Sequence, residues 1–332
     1  MSTVAVVGAT GVVGRELLDV LAERAFPVDQ VRLLASKRSA GQTMEALGEL
    51  HEIREATPDA FDGVDLALFS AGSDIAKALA PAARKAGALV VDNSSAFRMD
   101  PDCPLVVPEL NGDLLASHNG IIGNPNCSTI LLTMALAPLH RAGGLARVVM
   151  SSYQAVSGAG APAIEELRAQ EDAERLGEEP IANVFPTVLA HNVIPWVAGV
   201  QPDGFTVEEH KVRNETRRIL ALPDLPVTAT CVRVPVWRAH SEAVHVELQR
   251  PVDAAAAAAA YDGFPGIRFW TDRFPTPRDA AHTNEVHVGR LRADPALPNG
   301  WALWAVMDQL RKGAALNAIQ IAERAMGISV GA

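Results

Sequence analysis

The sequence has little cysteine, no excess of positive charge and no long apolar run. Its three cysteines, Cys103, Cys127 and Cys231, are an odd number spread widely over 332 residues, without the paired spacing of a zinc site or a disulfide framework. We therefore expect no metal site, and any functional cysteine should be a free thiol. The formal net charge of -10 gives no electrostatic reason to bind nucleic acid or an anionic membrane, because both attract clustered lysine and arginine.

The missing apolar run argues against a membrane-spanning helix. No segment approaches the ~20 apolar residues that such a helix needs, and the N-terminus lacks the charged start and cleavage region of a signal peptide. We therefore expect a cytoplasmic protein. Its 48% hydrophobic and 20% charged residues suit a folded chain of about two domains with buried cores.

The first third of the chain alternates between strand-like and helix-like segments. Short apolar runs at 3–7, 31–36, 65–71 and 88–96 predict strands, and segments with apolar residues at helical spacing lie between them. This alternation predicts an α/β fold with a parallel, doubly wound sheet, that is, a Rossmann-like domain.

The remainder of the chain has a different pattern. A helix is predicted directly behind the sequence GNPN, and the longer strand-like segments that follow, interrupted by acidic helices, predict an α+β domain on a mostly antiparallel sheet. A last helix is predicted from about Ala302 to Met326, packed against the first sheet. The expected domains are 1–126 completed by about 308–332, and 127–307.

Two segments of the first domain favour dinucleotide binding. Gly8, Gly11 and Gly14 are spaced G-x-x-G-x-x-G between the first strand and the first helix, where backbone amides and the helix dipole can receive a pyrophosphate, although a plain tight turn would also use them. The loop 36–41 reads SKRSAG. It offers cations and hydroxyls where NAD-binding folds place a carboxylate, which favours the 2′-phosphate of NADP over an incidentally charged loop.

Cys127 and His240 are the candidates for covalent chemistry. Cys127 opens an apolar helix behind a Pro-Asn turn, where the helix dipole and unbonded amides favour a thiolate and can stabilise an oxyanion. A lone cysteine is otherwise a small buried hydrophobe, as we expect for Cys103 and Cys231. His240 follows a strand and, from position alone, is as well interpreted as a core or surface histidine. A cysteine nucleophile in the same chain makes it a candidate general base.

Three charged residues are candidates for substrate binding. Glu208 and Lys211 are spaced i and i+3 on a predicted helix and so share one face, where a solvated ion pair is the ordinary interpretation. Opposite charges at this spacing could also bind a zwitterionic or phosphorylated substrate. Arg98 ends a parallel strand at the carboxyl edge of the sheet, where ligands of doubly wound folds bind.

Eight features resemble the aspartate-semialdehyde dehydrogenase family: GATGVVG, SKRSAG, VVDNSSAFR, GNPNCST, QAVSGAG, the Glu208/Lys211 pair, RVPVWRAHSE and GAALNAIQIAE. They occur in the family's order over nearly the whole chain and are specific in combination. The resemblance implies NADP-dependent reductive dephosphorylation of 4-phospho-L-aspartate to L-aspartate 4-semialdehyde through a cysteine thioester, in lysine, threonine and methionine biosynthesis. It also implies a homodimer or homotetramer, with an NADP-binding domain followed by a catalytic and dimerisation domain.

The resemblance further implies a role for each site residue. Cys127 would carry the acyl group, His240 would act as acid and base, and Gln154 would orient the substrate. The substrate-binding residues would be Arg233 for the α-carboxylate, Glu208 for the α-amino group, Arg98 and Lys211 for the phosphate, and Asn126. The positions assigned to NADP are Gly8, Thr10, Gly11, Val12, Val13, Gly14, Arg38, Ser39, Ser157, Gly158 and Asn317.

One position departs from the family pattern. Many members have glycine immediately before the histidine, where this chain has Ala239. Alanine is compatible with that position only if its φ is negative. The geometry just before His240 is therefore the least determined part of the predicted site.

Three other functions are compatible with parts of the sequence. Another phosphorylating semialdehyde dehydrogenase, chiefly N-acetylglutamyl-phosphate reductase, shares the thioester chemistry, but Glu208 would gain little from facing a neutral amide. A non-catalytic NADP-sensing protein would keep the fold without the chemistry, since a fold does not establish a function. A cysteine hydrolase would leave the glycine turn and the basic loop without a purpose.

Overall fold

The computed structural model describes residues 2–328 and divides the chain into two compact units. The first comprises the chain up to Asn126 together with the residues from Ala314 onward, and the second comprises Cys127–Gly313. The chain thus re-enters the first unit at Ala314, whereas the sequence predicted this boundary at about residue 308. The last four residues of the predicted domain, 329–332, lie outside the described residues. Across the described part of the chain, no helix is long and apolar enough to cross a membrane.

The secondary structure alternates in the first unit and is rich in strands in the second. The strands are β1 (Ser2–Val7), β2 (Val28–Ala35), β3 (Thr43–Ala46), β4 (Glu49–Glu55), β5 (Leu66–Phe69), β6 (Leu89–Asp92), β7 (Ile121–Gly123), β8 (Leu145–Gln154), β9 (Val227–Arg233), β10 (His240–Leu248), β11 (Ile267–Phe269), β12 (Val286–Ala293) and β13 (Gly300–Met307). The α-helices are α1 (Val12–Glu23), α2 (Ser73–Lys85), α3 (Pro108–Asn111), α4 (Cys127–Gly143), α5 (Ala161–Leu176), α6 (Val207–Ile219), α7 (Ala254–Ala259), α8 (Pro277–Ala280) and α9 (Leu316–Ala325).

The first unit is built on a sheet of order β3-β4-β2-β1-β5-β6-β7, in which every neighbouring pair is parallel except β3 and β4. Successive residues of a strand point to opposite faces. Val4 and Val6 are therefore buried with residues of α1 and α9, whereas Ala5 and Val7 are buried with residues of α2. Helices thus cover both faces, and the predicted doubly wound, Rossmann-like fold is confirmed.

The second unit is built on a sheet of order β11-β12-β13-β10-β8-β9. Pairing is antiparallel at β12–β13, β13–β10 and β10–β8 and parallel at β11–β12 and β8–β9, so the predicted mostly antiparallel sheet is confirmed. The apolar α4 packs on β10 and β13, and α6 packs on α4 and β9. Because β8 and β9 run opposite to β10, the ends of β8 and β9 and the start of β10 lie at one edge.

The predicted helix from about Ala302 to Met326 is wrong in its first part. Residues Gly300–Met307 form β13, which is hydrogen-bonded on both sides, to β10 and β12. The α-helix begins only at Leu316, after a π-helical turn at Arg311–Ala315. A continuously apolar run such as WALWAV does not distinguish a buried strand from a buried helix. The sequence also does not predict the hairpin β3–β4, whose residues are largely polar.

Candidate active site

Cys127 is the first residue of α4 and is partly exposed, whereas Cys103 and Cys231 are buried. Within residues 2–328, where all three cysteines lie, none is in a disulfide. Burial raises the pKa of the Cys231 thiol far above its ordinary value, which makes that residue unreactive. Cys127 is therefore the cysteine placed for nucleophilic attack, at the positive end of a helix dipole.

His240 is the first residue of β10 and is almost fully buried. Its Nδ1 accepts a hydrogen bond of 3.0 Å from the backbone N–H of Ala155, so in the neutral ring the proton resides on Nε2. Burial, and then the charge of Arg233, hold the pKa of His240 well below its usual value. The imidazole is thus neutral near pH 7, with Nε2–H as its donor.

Arg233 ends β9 and is held by the same backbone segment as His240. Its Nη1 donates to the carbonyl of Ala155 at 2.6 Å, and its side chain is nearly buried. Burial lowers the pKa of Arg233, while the charges of Glu208 and Cys127 act in the opposite direction. Arginine remains charged despite such burial, so Arg233 supplies a fixed guanidinium beside the imidazole.

Gln154 ends β8 and joins the helix of Cys127 to the charged pair on α6. Its Nε2 donates to Ser128 Oγ at 2.9 Å and lies 3.5 Å from Glu208 Oε1. Lys211 Nζ lies 3.3 Å from Glu208 Oε2, as expected for an i, i+3 pair. Glu208 is nearly buried and Lys211 is partly exposed, so this pair combines a buried carboxylate with an accessible ammonium.

Ser157 and Gly158 lie in a short turn beside the imidazole. A Cβ on Gly158 would stand 3.2 Å from both Cε1 and Nε2 of His240, so glycine leaves the reactive side of the ring open. Ser157 Oγ accepts a short hydrogen bond from Nε2 of Gln309. Gln309 is a neighbour of the site that the sequence analysis missed, and no local motif marks it.

The backbone conformation of Ala239, the residue before His240, differs from the one expected from the sequence. Its φ is +75°, in the left-handed region, although alanine was expected to require a negative φ. The residue is fully buried, and its N–H donates to Gln309 Oε1 at 2.8 Å. The fold thus holds alanine in a conformation that glycine adopts more readily.

The first unit contains the glycine turn at the carboxyl end of β1. Gly8 has φ +87°, and a Cβ on Gly14 would lie 2.2 Å from the Gly8 carbonyl oxygen. Gly11 precedes α1 and makes no side-chain cap. Neither Gly8 nor Gly14 accepts a side chain there, and the first backbone amides of α1, those of Val12 and Val13, follow directly behind the turn. This geometry fits a pyrophosphate cradle.

The basic loop follows β2 at the same edge of the sheet. Arg38 is exposed and Ser39 is partly exposed, and the loop 36–41 contains no carboxylate. The side chains available to a cofactor ribose are therefore cationic or hydroxylic. They fit a 2′-phosphate better than a free hydroxyl.

Arg98 lies in the loop after β6, six residues beyond the strand end at Asp92, rather than at the strand terminus. Its Nε donates to the Asn124 carbonyl at 2.9 Å and its Nη2 to the Asn93 carbonyl at 2.6 Å. Asn317 is fully buried and donates from Nδ2 to Val106 O at 2.9 Å and to Asn124 Oδ1 at 2.7 Å. Asparagines thus fix the loop that carries Arg98.

The site residues fall into both units. The second unit brings together Cys127, Gln154, Glu208, Lys211, Arg233 and His240, with Ser157 and Gly158 beside them. The first unit holds the glycine turn, Arg38, Ser39, Arg98, Asn126 and Asn317. In the described residues, no group of three or more His, Cys, Asp and Glu side chains could hold a metal ion. The second unit contains the groups that acyl transfer needs, namely a nucleophile, a neutral imidazole and fixed charges for an anionic substrate.

Comparisons with known proteins agree with this arrangement. The family model "Semialdehyde dehydrogenase, NAD binding domain" matches residues 3–118, and "Semialdehyde dehydrogenase, dimerisation domain" matches 136–312. The aspartate-semialdehyde dehydrogenase of Synechocystis sp. is 49% identical over 324 residues, covering 96% of each chain. That of Bacillus subtilis is 48% identical over 333 residues, again covering 96% of each.

A solved structure extends the likeness to three dimensions. The crystal structure of aspartate semialdehyde dehydrogenase II from Vibrio cholerae complexed with ASA has a TM-score of 0.96 at 43% identity, covering 98% of each chain. Sequence and fold therefore agree over almost the full length of the molecule. This chain belongs to the aspartate-semialdehyde dehydrogenase family.

Proposed function

We propose that this protein catalyses the NADP-dependent reductive dephosphorylation of 4-phospho-L-aspartate to L-aspartate 4-semialdehyde through a thioester on Cys127. The reaction belongs to lysine, threonine and methionine biosynthesis. One observation carries the proposal: Cys127 opens a helix whose second residue is bonded to Gln154, while Ala155, the next residue, holds both His240 and Arg233. A thiol, an imidazole and an anion-binding group are thus tied to one strand end.

Covalent chemistry begins at Cys127. Its thiolate attacks the acyl carbon, the bond from that carbon to the phosphate oxygen breaks, and inorganic phosphate leaves. NADPH supplies the hydride that reduces the thioester. His240, the acid and base of the family, presents its Nε2–H as a hydrogen-bond donor to the oxygen that becomes negative when hydride adds. This oxyanion re-forms the carbonyl as its C–S bond breaks, which releases the aldehyde and regenerates the thiolate. A neutral imidazole with the proton on Nε2 suits this hydrogen bond, because Nδ1 is occupied by the N–H of Ala155.

Substrate recognition uses charges that the fold holds in place. The guanidinium of Arg233 matches the α-carboxylate as a two-pronged donor, and the buried carboxylate of Glu208 matches the α-ammonium. Lys211 is the partly exposed partner of Glu208 and meets the phosphate as a point charge. We assign Arg98 to phosphate, Asn126 to substrate and Gln154 to substrate orientation on the family resemblance. A buried carboxylate facing an acetylated amine would gain little, which disfavours N-acetylglutamyl-phosphate reductase.

The cofactor is NADP. The turn from Gly8 to Gly14 fits its pyrophosphate, because side chains are excluded there and α1 begins directly behind. Arg38 and Ser39 supply the 2′-phosphate partners, since no carboxylate competes in their loop. Ser157, Gly158 and Asn317 are assigned to NADP by resemblance.

The second unit matches a dimerisation domain over residues 136–312. We propose a homodimer or homotetramer that works in the cytoplasm without nucleic acid. Sedimentation of the purified protein would test the oligomeric state. A monomer at micromolar concentration would contradict it.

The activity is tested by following NADPH formation from L-aspartate 4-semialdehyde, with and without inorganic phosphate. We expect turnover that requires phosphate, because the thioester needs an acceptor to leave Cys127 in the oxidative direction. N-acetyl-L-glutamate 5-semialdehyde is the matched competing substrate and should not turn over. Turnover of that compound alone would support the rival reductase, and NADP binding without turnover of either would support the non-catalytic sensor.

A further inference from the structure

The antiparallel ladder between β10 and β13 stops at the pair His240–Met307. Beyond this pair, the side chains of the residues that follow β13 form hydrogen bonds to the residues that precede β10. Arg238 Nε donates to Asp308 Oδ2 at 2.6 Å, and the Ala239 N–H donates to Gln309 Oε1 at 2.8 Å. The two residues immediately before His240 are therefore held by the two residues immediately after β13.

The bond to Gln309 acts on the one backbone torsion that is unusual here. The direction of an N–H group about its N–Cα bond is the φ angle of that residue. On one side of Ala239, β10 fixes the chain, and on the other side Gln309 fixes the N–H, so together they hold φ at +75°. Alanine released from this bond would favour a negative φ.

Gln309 also bonds to the segment that holds the imidazole. Its Nε2 donates to Ser157 Oγ. The backbone amides of residues 156–157 donate to the carbonyls of residues 236–237 at 2.9 and 3.2 Å. The loop before His240 and the turn beside its ring are thus joined by backbone bonds and by one carboxamide.

We propose that Gln309 is a positioning residue for His240: by bonding both the Ala239 amide and Ser157, it keeps Ala155 N–H on Nδ1 and Nε2–H toward the reacting atoms. Gln309 is 2% exposed and acts through these neighbours. This inference rests on the acid and base role proposed for His240.

The test compares Gln309→Met with Gln170→Met. Methionine keeps the length of the side chain but bonds neither Ala239 nor Ser157. Gln170 is the matched control, because its buried carboxamide also bridges two segments, accepting from Leu189 N at 2.9 Å and donating to Ile181 O at 3.0 Å. Among the described residues, Gln170 bonds to Glu166, Ile181, Leu189 and Ala190, none of which is a candidate site residue.

Two readouts separate positioning from plain stability. Nitrogen-15 NMR of the His240 ring, assigned by its absence in His240→Asn, reports the tautomer, and turnover is measured across pH. For Gln309→Met we expect mixed tautomers and a kcat lower by on the order of 100-fold, the size of a misplaced catalytic group, with little change in the KM for semialdehyde.

Gln170→Met should keep the Nε2–H tautomer and its kcat. Gln309→Glu, which keeps an acceptor for the Ala239 N–H, should also keep the tautomer.

Several outcomes would overturn the proposal. An unchanged tautomer and kcat in Gln309→Met would remove Gln309 from this role, as would equal losses in the Gln170 variant. Mixed tautomers in Gln309→Glu would show that the Ala239 bond does not set the ring. Failure of the proposed function would instead appear as absent turnover in the unsubstituted protein, while the ring spectra still report on Gln309.

Discussion

The two units present their candidate functional groups in opposite ways. In the first unit, Gly8 and Gly14 allow the turn to pack closely against neighbouring backbone, so that the first amides of α1 follow directly behind β1 and can meet a ligand. In the second unit, Gln154, Arg233 and His240 are buried side chains that other groups hold in place. A backbone site needs space and a helix start, whereas a side-chain site needs a network. Substitutions in the glycine turn should therefore affect cofactor binding, and substitutions of these buried side chains should affect turnover.

The largest expected effect comes from Cys127→Ala. Removing the nucleophile should lower kcat by at least about a thousandfold, the scale of losing a covalent mechanism, while NADP binding measured by calorimetry stays unchanged. Cys231→Ala is the control, because its buried thiol should affect stability alone. If Cys127→Ala retained more than about a thousandth of the activity, the thioester proposal would be wrong.

In the second unit, we expect Arg233→Lys and Lys211→Ala to change different kinetic constants. Lysine keeps the charge of Arg233 but loses the planar donor pair and the bond to Ala155, so kcat should fall by on the order of 100-fold. Lys211→Ala removes a point charge and should mainly raise the KM for phosphate, by about tenfold. Both variants are measured at varied phosphate and varied semialdehyde. An effect of Arg233→Lys on the phosphate KM alone would mean that the two assignments are reversed.

The same contrast explains what the sequence could predict. The glycine turn is a local pattern, so spacing alone located it between β1 and α1. Cys127 was also recognisable, because an apolar helix opens directly behind a Pro-Asn turn. In contrast, the link from His240 to Ala155 joins residues 85 positions apart, and no periodicity encodes such a contact. The roles of Gln154 and Arg233 depended on the family resemblance.

The features that the sequence did not predict also depend on contacts between distant parts of the chain. Gln309 lies beyond the end of β13, in a run that was predicted to be helical, so its bond to Ala239 could not be anticipated. The left-handed Ala239 contradicts the intrinsic preference of alanine, because tertiary hydrogen bonds override it. The asparagines that fix Arg98 are likewise joined only through the fold.

Arg38→Glu tests whether the first unit selects its cofactor by side chains as well as backbone. A carboxylate repels the 2′-phosphate but can accept a hydrogen bond from a free ribose hydroxyl. The ratio of kcat/KM for NADP to that for NAD should fall by about tenfold or more, the effect of one charged contact of ~1.4 kcal/mol. Lys37→Glu is the neighbouring control. An unchanged affinity for NADP would remove Arg38 from the site.

The last prediction changes stability rather than turnover, and it concerns Glu242 on β10 of the second sheet. Its side chain is fully buried, and neither carboxylate oxygen has a hydrogen-bond partner within residues 2–328. Burial raises the pKa of Glu242 well above its usual value near 4.5. Between these two pKa values the folded protein binds a proton that the unfolded chain lacks. The stability contributed by this group is therefore fully present below the unfolded pKa and is lost as pH rises through the folded pKa.

Glu242→Gln keeps the shape of the neutral acid and removes its ionisation. The variant should gain stability over the parent as pH rises, by roughly 1.4 kcal/mol for each pH unit between the unfolded pKa and the measurement pH, up to the folded pKa. Urea unfolding between about pH 8 and about pH 9 checks this, because His240, whose pKa is lowered by burial, is neutral in both states there. Glu247→Gln on the same strand, at a partly exposed position, is the control and should show no such trend. A difference between Glu242→Gln and the parent that stays constant with pH would mean that Glu242 is already ionised in the folded protein over this range.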